Sequence, residues 1–391
     1  MNLIGTMSIG IKAPIIKKGD NLVNIVCDSV IEACNHHNFT LEDKDIVAVT
    51  EAVVAKAQGN FATINDIATD VKNKFGDSTV GLIMPILSRN RFSLLLKGIA
   101  KGVKKLIIQL SLPCDEVGNH LITQEQLLNS GINPYDTLNE EQFRKIFGES
   151  KHQFTGVDYV ELYKNYGGEN CEIIFSNNPC AILKYTKNVI NADIHTRELT
   201  KKLLLNAGAE LVYSLSDILN KSVNGSGYNP EYGLLGSNIS TDEQVKLFPK
   251  NTMEFAQNLQ KEFKNRTGKT IECMVYGDGA FKDPVGKIWE LADPVVSPGY
   301  TDGLIGLPNE IKLKYVADNN LGNLTGKEAE EAIKKIIKEK EQDLKNQKVS
   351  LGTTPRRLTD LLGSLSDLTS GSGDKGTPII LIKNYFKNYA D

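Results

Sequence analysis

The sequence predicts an α/β protein, because short apolar runs of strand length alternate with longer segments of helical periodicity. The segment LVNIVCDSVIEAC places apolar residues at helical spacing. The stretch DIVAVTEAVVAKAQG begins as a buried strand and runs into a turn or a helix start, and GLIMPIL and KKLIIQLSLP are further short apolar runs. Strands separated by helices in this way favour a sheet that is covered by helices.

The elements of the first half follow in chain order. Asp20 is the predicted N-cap of the first helix, because a short polar side chain can accept a hydrogen bond from the first turn. Residues 115–150 are more polar and predict short helical pieces. CEIIFS reads as a strand, and VINADIHTREL predicts a strand that ends at Asp193 and His195, with Thr196 capping the next helix.

The second half ends in a helix and a strand. Residues 221–240 are rich in Gly, Ser and Asn and predict a long loop, which in a compact enzyme is more often functional than accidental. IECMVY predicts a strand. Thr325 and Glu328 predict a capping box at the start of an amphipathic helix. The helix PRRLTDLLGSLSDLTSG and the strand TPIILIK then complete the α/β pattern.

Length and composition exclude some classes of protein. The chain has 391 residues, enough for two or three domains, with 40% hydrophobic and 24% charged residues. A net charge of −3 gives no basic excess for nucleic acid. No apolar run reaches the roughly 18–20 residues that span a bilayer, and the first residues do not resemble a signal peptide. The six scattered cysteines predict reduced thiols in the cytoplasm.

The stretch VYGDGAFKDP has two interpretations. Asp-Gly at Asp278 is a strong hairpin signal, and this interpretation is favoured on the stretch alone. An Asp at the end of a strand, next to glycines, also suits a metal or phosphate loop. Asp158 in FTGVDY raises the same question, with a helix cap or a turn as its structural interpretation.

A few other residues could bind an anion. Lys56 follows a strand and could neutralise a phosphate as a point charge, although a solvated surface lysine is the commoner case. His195 and Arg197 could orient an anionic substrate or simply decorate a helix start. No GxxxxGK[ST], GxGxxG after a strand, or GxSxG motif is present, so a P-loop, a Rossmann dinucleotide site and a nucleophile elbow are unsupported.

The motifs together resemble the coenzyme F-420-0:L-glutamate ligase (gamma-glutamyl ligase) family. The resemblance is carried by IKAPIIKKGDNL with LEDKDIVAVTEAVVAKAQG, by the Gly-Val-Asp of FTGVDY, by MVYGDGAF, and by RLTDLLGSLSDLTSGSGDKGTPIILIK at the C-terminal end. It covers both ends of the chain and touches the middle, which is longer than in typical members. The chain is therefore identified as an enlarged, divergent member.

The resemblance implies the family's α/β fold, an intertwined homodimer and an NTP-dependent ligase that joins L-glutamate to a carboxylic acid through an acyl phosphate. It implies GTP or ATP and two Mg²⁺ or Mn²⁺ ions, and family members often also use K⁺. It divides the chain into a nucleotide-binding part (1–115), a central part with the first metal Asp and the long loop (116–265) and a part with the second metal Asp (266–391). Carried over by position, the implied metal ligands are Asp158, Asp278 and Gly279. The implied nucleotide-binding residues are Lys12, Ala13, Pro14, Ile15, Glu51, Ala52, Lys56, Glu161, Ser370, Gly371, Ser372 and Gly373.

Four positions depart from the family pattern. Gly279 replaces a Thr after the second Asp, Glu161 replaces an Asn after the first, Ser372 stands where a Gln aligns, and Glu51-Ala52 replaces Ser-Lys. These departures leave open GTP against ATP, the acceptor acid (a folate-type acid included) and retention of activity. A metal-dependent phosphohydrolase and a non-catalytic binding protein are the competing hypotheses.

Overall fold

The computed structural model describes residues 3–84, 86–88, 91–116, 118–152, 155–278, 281–282, 289–290, 295–322, 324–350, 356–371 and 373–391. Its strands are β1 (Met7–Ile11), β2 (Ile46–Thr50), β3 (Phe61–Thr63), β4 (Thr79–Ile83), β5 (Lys105–Leu110), β6 (Leu138–Asn139), β7 (Cys171–Phe175), β8 (Asn188–Asn191), β9 (Leu211–Ser214), β10 (Asn238–Thr241), β11 (Gln244–Lys246), β12 (Glu272–Tyr276), β13 (Phe281–Lys282), β14 (Trp289–Glu290), β15 (Gly299–Tyr300) and β16 (Ile379–Lys383). Its α-helices are α1 (Leu22–His37), α2 (Glu51–Gln58), α3 (Ile64–Phe75), α4 (Arg91–Lys101), α5 (Gln124–Ser130), α6 (Glu140–Phe147), α7 (Tyr159–Gly167), α8 (Arg197–Asn206), α9 (Thr252–Thr267), α10 (Leu313–Asn320), α11 (Gly326–Lys338) and α12 (Leu358–Thr369).

Two larger sheets organise these elements, and the predicted α/β class with mixed sheets is confirmed. The first sheet has the order β1-β16-β2-β12-β15, in which β2 and β12 are parallel and the other pairs antiparallel. The second sheet has the order β6-β7-β5-β4-β8-β9 and is parallel except for β6. A smaller antiparallel sheet, β10-β11-β3, contains the strand that follows α2.

The two larger sheets draw on different parts of the chain. The second sheet uses strands between residues 79 and 214, whereas the first uses strands from both sides of that segment. The division of the chain into domains at residues 115 and 265 stays a prediction. Along the chain, the strands of one sheet give way to those of the other at different positions. This arrangement brings the N- and C-terminal strands together: Met7 of β1 lies opposite Lys383 of β16.

The core of the first sheet explains why its central strands are apolar throughout. Along β2, Val47 and Val49 pack in one cluster with α1 and α9, while Ile46 and Ala48 pack in another with Leu362 of α12. Successive side chains of a strand point to opposite faces. Since helices cover both faces of β2, both sets of side chains are apolar and buried.

Two of the predicted helix starts are wrong in detail. Asn21, rather than Asp20, caps α1: its side chain accepts from Asn24 N at 3.2 Å, while Asp20 accepts from Lys17 N at 2.7 Å. Thr325 is the N-cap residue of α11 but its side chain makes no capping bond, so the capping box is absent. Gly326, the first residue of α11, has a φ of 55°. Because this left-handed conformation departs from regular helix geometry, the capping box does not form.

The hairpin interpretation of Asp278-Gly279 stays a prediction, because it falls partly on residues outside the described ranges. β12 ends at Tyr276 and pairs with β2 and β15, while β13 pairs with β14. Gly279 and Asp283 lie outside the described residues. Asp278 therefore stands beyond the end of a central strand of the first sheet.

Two further observations concern the cysteines and the helices. All six cysteines are free thiols, and four of them are buried. Among the described residues, no helix is both long enough and apolar enough to cross a membrane.

Candidate functional site

A cavity of about 320 Å³ opens at one edge of the first sheet. Thr50 and Tyr276 end the parallel strands β2 and β12, so they lie at the same edge. The antiparallel β16 starts there, and Thr50 N donates to Pro378 O at 3.0 Å. The cavity is lined by Ala13, Pro14, Ile15, Ile16, Thr50, Ala52, Val53, Lys56, Tyr276, Ser370, Gly371, Gly373, Gly376, Thr377 and Pro378.

This cavity gathers most of the residues that the resemblance assigned to the nucleotide. The segment after β1 supplies one apolar wall, and the start of α2 supplies another. The turn after α12 closes the remaining side. The sequence-predicted residues that meet here are Ala13, Pro14, Ile15, Ala52, Lys56, Ser370, Gly371 and Gly373. Their convergence follows from the position of β16 between β1 and β2, which puts distant segments at one edge.

Three other predicted nucleotide residues lie elsewhere. Lys12 lines a separate groove of about 980 Å³ between β1 and α1, which also includes His36 and His37. Glu51 is buried, and its carboxylate pairs with Lys246 Nζ at 2.5 Å. Glu161 is in the first turn of α7, within the segment that forms the second sheet. Ser372 lies outside the described residues.

Asp158 is the N-cap of α7, and its carboxylate has several protein partners. Its two oxygens accept from Arg144 Nη1 at 2.6 Å and Nη2 at 2.9 Å. They also accept from the backbone N–H groups of Ser150 and Glu161. Burial opposes ionisation of Asp158, but the Arg144 guanidinium and these N–H groups hold its pKa below the ordinary value. Its recorded contacts thus match the structural interpretation.

Asp278 lies two residues beyond Tyr276, which lines the cavity, and is half-buried. Its charge acts on the Tyr276 hydroxyl. The recorded contacts of Asp158 lie within the segment of the second sheet, whereas Asp278 follows a strand of the first. In the described part of the chain, no group of three or more His, Cys, Asp or Glu side chains could hold a metal.

A single carboxylate is nevertheless compatible with magnesium, which takes one or two protein carboxylates together with substrate phosphates and water. Asp278 beside the cavity offers one such oxygen donor. The donor set therefore fits a cation that arrives with a phosphorylated ligand better than a cation held by protein alone. The metal role of Asp158 stays a prediction.

His195 and Arg197 belong to the segment of the second sheet. His195 Nε2 lies 4.0 Å from Glu116 Oε1, and Arg197 Nη1 donates to Ile194 O at 2.5 Å. Glu116 also accepts from the backbone N–H groups of Ile194 and His195. Burial, and then the hydrogen bond with Asp193, raise the pKa of Glu116 to about 8. No sequence pattern marked Glu116.

Tyr276 and Thr50 are cavity residues that the sequence interpretation did not single out. Both are the last residues of apolar strands that reach the cavity edge. A polar side chain at the end of an otherwise apolar strand is the signal that would have found them.

Comparison with known proteins gives the family. The model of the family described as F420-0:Gamma-glutamyl ligase matches residues 10–384. The coenzyme F420:L-glutamate ligase of Methanosarcina acetivorans is 32% identical to this chain over 84 residues, which is 20% of this chain and 30% of that protein. The chain thus spans less than a third of that relative's length in this match. Because the family model covers nearly the whole sequence, including every segment that lines the cavity, the chain belongs to the F420-0:gamma-glutamyl ligase family.

Proposed function

We propose that this protein is an NTP-dependent ligase that joins L-glutamate to a carboxylic acid through a gamma-glutamyl-type amide. Membership of a ligase family supports the reaction class. The observation that carries the proposal is the cavity at the edge of the first sheet, which unites an apolar wall, a lysine and a glycine-rich turn. These are the features that a nucleotide's base and phosphates require.

The chemistry follows from the substrates. A carboxylate is a poor electrophile, so the γ-phosphoryl group of the NTP is transferred to a carboxylate oxygen, giving an acyl phosphate and NDP. The amine of glutamate then attacks the acyl carbon and expels inorganic phosphate, and the amine proton goes to solvent. In phosphoryl transfer the protein mainly positions reactants and neutralises charge.

The residues of the cavity divide these tasks. Ala13, Pro14 and Ile15 offer apolar contact to the base. Lys56, in the last turn of α2 and exposed to solvent, supplies positive charge to the phosphates. The Ser370–Gly373 turn offers backbone N–H groups, because glycine lets the backbone approach a phosphate closely. Asp278 would hold Mg²⁺ or Mn²⁺, which neutralises the charge that develops on the phosphate oxygens.

Finer features of the proposal go beyond the cavity. We include a second Mg²⁺ or Mn²⁺ ion with Gly279 as a further ligand, K⁺, an intertwined homodimer, a cytoplasmic location, and contacts of His195 and Arg197 with an anionic substrate. β1 is an edge strand of the first sheet in the single chain, which leaves its outer side for a partner strand. GTP and ATP, and several acceptor acids, fit the same cavity chemistry.

The test is release of NDP by the purified protein with Mg²⁺ or Mn²⁺, GTP or ATP, glutamate and a panel of carboxylic acids. The ligase requires all components, and a new amide appears in the mass spectrum of the product. Phosphate release from simple phosphoesters without an amine would indicate the phosphohydrolase instead. Nucleotide binding without turnover would indicate a non-catalytic binding protein.

A substitution at Lys56 locates the nucleotide in the same experiment. Lys56→Ala removes a charge that faces the cavity, and we expect nucleotide affinity to fall about tenfold or more, measured by calorimetry. Lys72→Ala, at an exposed position on α3, is the matched control and leaves affinity unchanged. Equal affinities for the two variants would remove the nucleotide from this cavity.

A further inference from the structure

Tyr276 presents an unusual hydroxyl group. The residue is 1% exposed, and its hydroxyl oxygen is buried and has no hydrogen-bond partner among the residues that the structure describes. The same residue lines the cavity at the edge of the first sheet. Buried hydroxyls in folded proteins are as a rule hydrogen-bonded, so this exception needs a physical reason.

Another buried tyrosine shows the ordinary arrangement. Tyr163 is 0% exposed, and its hydroxyl accepts from Ser88 N at 2.7 Å and donates to Ser88 O at 3.0 Å. The burial of a hydroxyl without such bonds costs free energy. Ser370, which lies near Tyr276, directs its own hydroxyl to Asp367 O at 3.0 Å and so has used its donor.

A phenol hydroxyl keeps its proton at neutral pH and can donate one hydrogen bond. The Tyr276 hydroxyl therefore offers its hydrogen to an acceptor oxygen.

We propose that Tyr276 binds the nucleotide of the proposed function by donating a hydrogen bond from its hydroxyl to a phosphate oxygen. The inference rests on that function. The phosphate is the acceptor because the hydroxyl lies beside Ser370, where the glycine-containing turn begins, whereas the apolar wall that suits a base comes from the segment after β1. Lys56 lines the same cavity and supplies positive charge to it.

The test compares Tyr276→Phe with the wild-type chain. This substitution removes the hydroxyl and little else, so the free protein keeps its melting temperature or gains slightly, because an unpaired buried polar group disappears. Affinity for the NTP, measured by calorimetry with Mg²⁺, falls about tenfold or more. Affinity for the corresponding nucleoside does not change.

Tyr163→Phe is the matched control: it breaks two hydrogen bonds within the protein, so it lowers the melting temperature and leaves NTP affinity unchanged. An unchanged NTP affinity in Tyr276→Phe would overturn the inference, as would an equal loss for the nucleoside, which would place the hydroxyl on the base or ribose. A wild-type protein that binds no nucleotide would instead contradict the proposed function itself.

Discussion

Asp158 and Asp278 both lie at the end of a secondary-structure element, Asp158 before α7 and Asp278 after β12, but their surroundings differ. Asp158 is held by Arg144 and two backbone N–H groups. Asp278 follows Tyr276, which lines the cavity together with polar side chains such as Lys56 and Ser370. The contacts of Asp158 stabilise the start of α7, whereas the proposed function gives Asp278 the role of a metal ligand.

Asp158→Asn should separate these roles. Asn caps a helix as well as Asp does, so the substitution keeps the cap and removes the ion pair, whose Asp158 side chain is only 8% exposed. We expect a loss of about 1–3 kcal/mol in the free energy of unfolding, measured with urea. Nucleotide affinity should stay at the wild-type value.

Glu172→Gln is the control, because its pair with Lys105 is exposed and should contribute under about 1 kcal/mol. If Asp158 were instead a metal ligand, Asp158→Asn would abolish metal-dependent nucleotide binding and leave stability intact.

The sequence predicted which residues line the cavity better than it predicted which side chains form ion pairs and hydrogen bonds with each other. Ala13, Ala52 and Ser370 were found because short motifs around strand ends keep their order within a family. Arg144 could not be assigned to Asp158, because no local pattern tells which cation a carboxylate meets across a fold. Tyr276 was missed because an aromatic residue in an apolar strand is normally part of the core.

At the scale of elements, the loops after β5 and β8 are joined by a pair of carboxyl groups. Glu116 follows β5 and accepts from the backbone of the loop that follows β8. Asp193 in that loop accepts from the hydroxyls of Thr196 and Thr200, and its pKa is lowered although burial opposes this. Glu116 therefore holds the proton while Asp193 is ionised.

This pair makes stability depend on pH. The pKa of Glu116 rises from 4.5 to about 8 on folding, so the stability contributed by its proton is complete below pH 4.5 and is lost as the pH rises to about 8. Deprotonation would place two carboxylates together, with the imidazole of His195 4.0 Å from Glu116. Urea unfolding between pH 5 and 9 should show stability falling through this window.

Glu116→Gln keeps a neutral hydrogen-bonding group and should flatten that part of the profile. Glu169→Gln, at an exposed position after α7, should leave the wild-type slope in place. A slope that survives in Glu116→Gln would assign the pH dependence to another group.

The existence of a helix or strand was easier to predict than the residues at which it begins and ends. The strands β2, β12 and β16 follow from long apolar runs, and α1 from its periodicity. The capping box at Thr325 failed because Gly326 takes a left-handed conformation, which the motif does not reveal. Asn21 and Asp20 are both good capping residues, so composition alone could not decide between them.

At the scale of the whole molecule, the cavity belongs to the first sheet alone. The described residues that line it come from the segment after β1, from the end of β2 and α2, from Tyr276 and from the segment between α12 and β16, and none of them belongs to the segment that forms the second sheet. Hydrogen exchange should therefore report nucleotide binding unevenly. We expect added NTP with Mg²⁺ to slow exchange in β2, α2, β12 and β16, measured by mass spectrometry.

Peptides from β5, β7 and β8 serve as internal controls and should exchange at unchanged rates. Slower exchange confined to the second sheet would place the ligand there, near Glu116 and His195, and would contradict the proposed cavity.

Strand order was beyond prediction from the sequence. Apolar runs show that strands exist, but the pairing of β1 with β16 depends on contacts between residues more than 360 positions apart, for which no local pattern exists. The sequence also showed no sign that the strands of the second sheet lie, along the chain, between β2 and β12 of the first sheet.

The position of β16 between β1 and β2 has a consequence during synthesis. A ribosome has released all strands of the second sheet long before it reaches residues 379–383, and domains fold as units while the chain grows. Until then the first sheet lacks β16, the strand that lies between β1 and β2. In the described structure β1 pairs with β16 alone, so it has no partner strand before β16 is made. The cavity is therefore among the last features of the nascent chain to form.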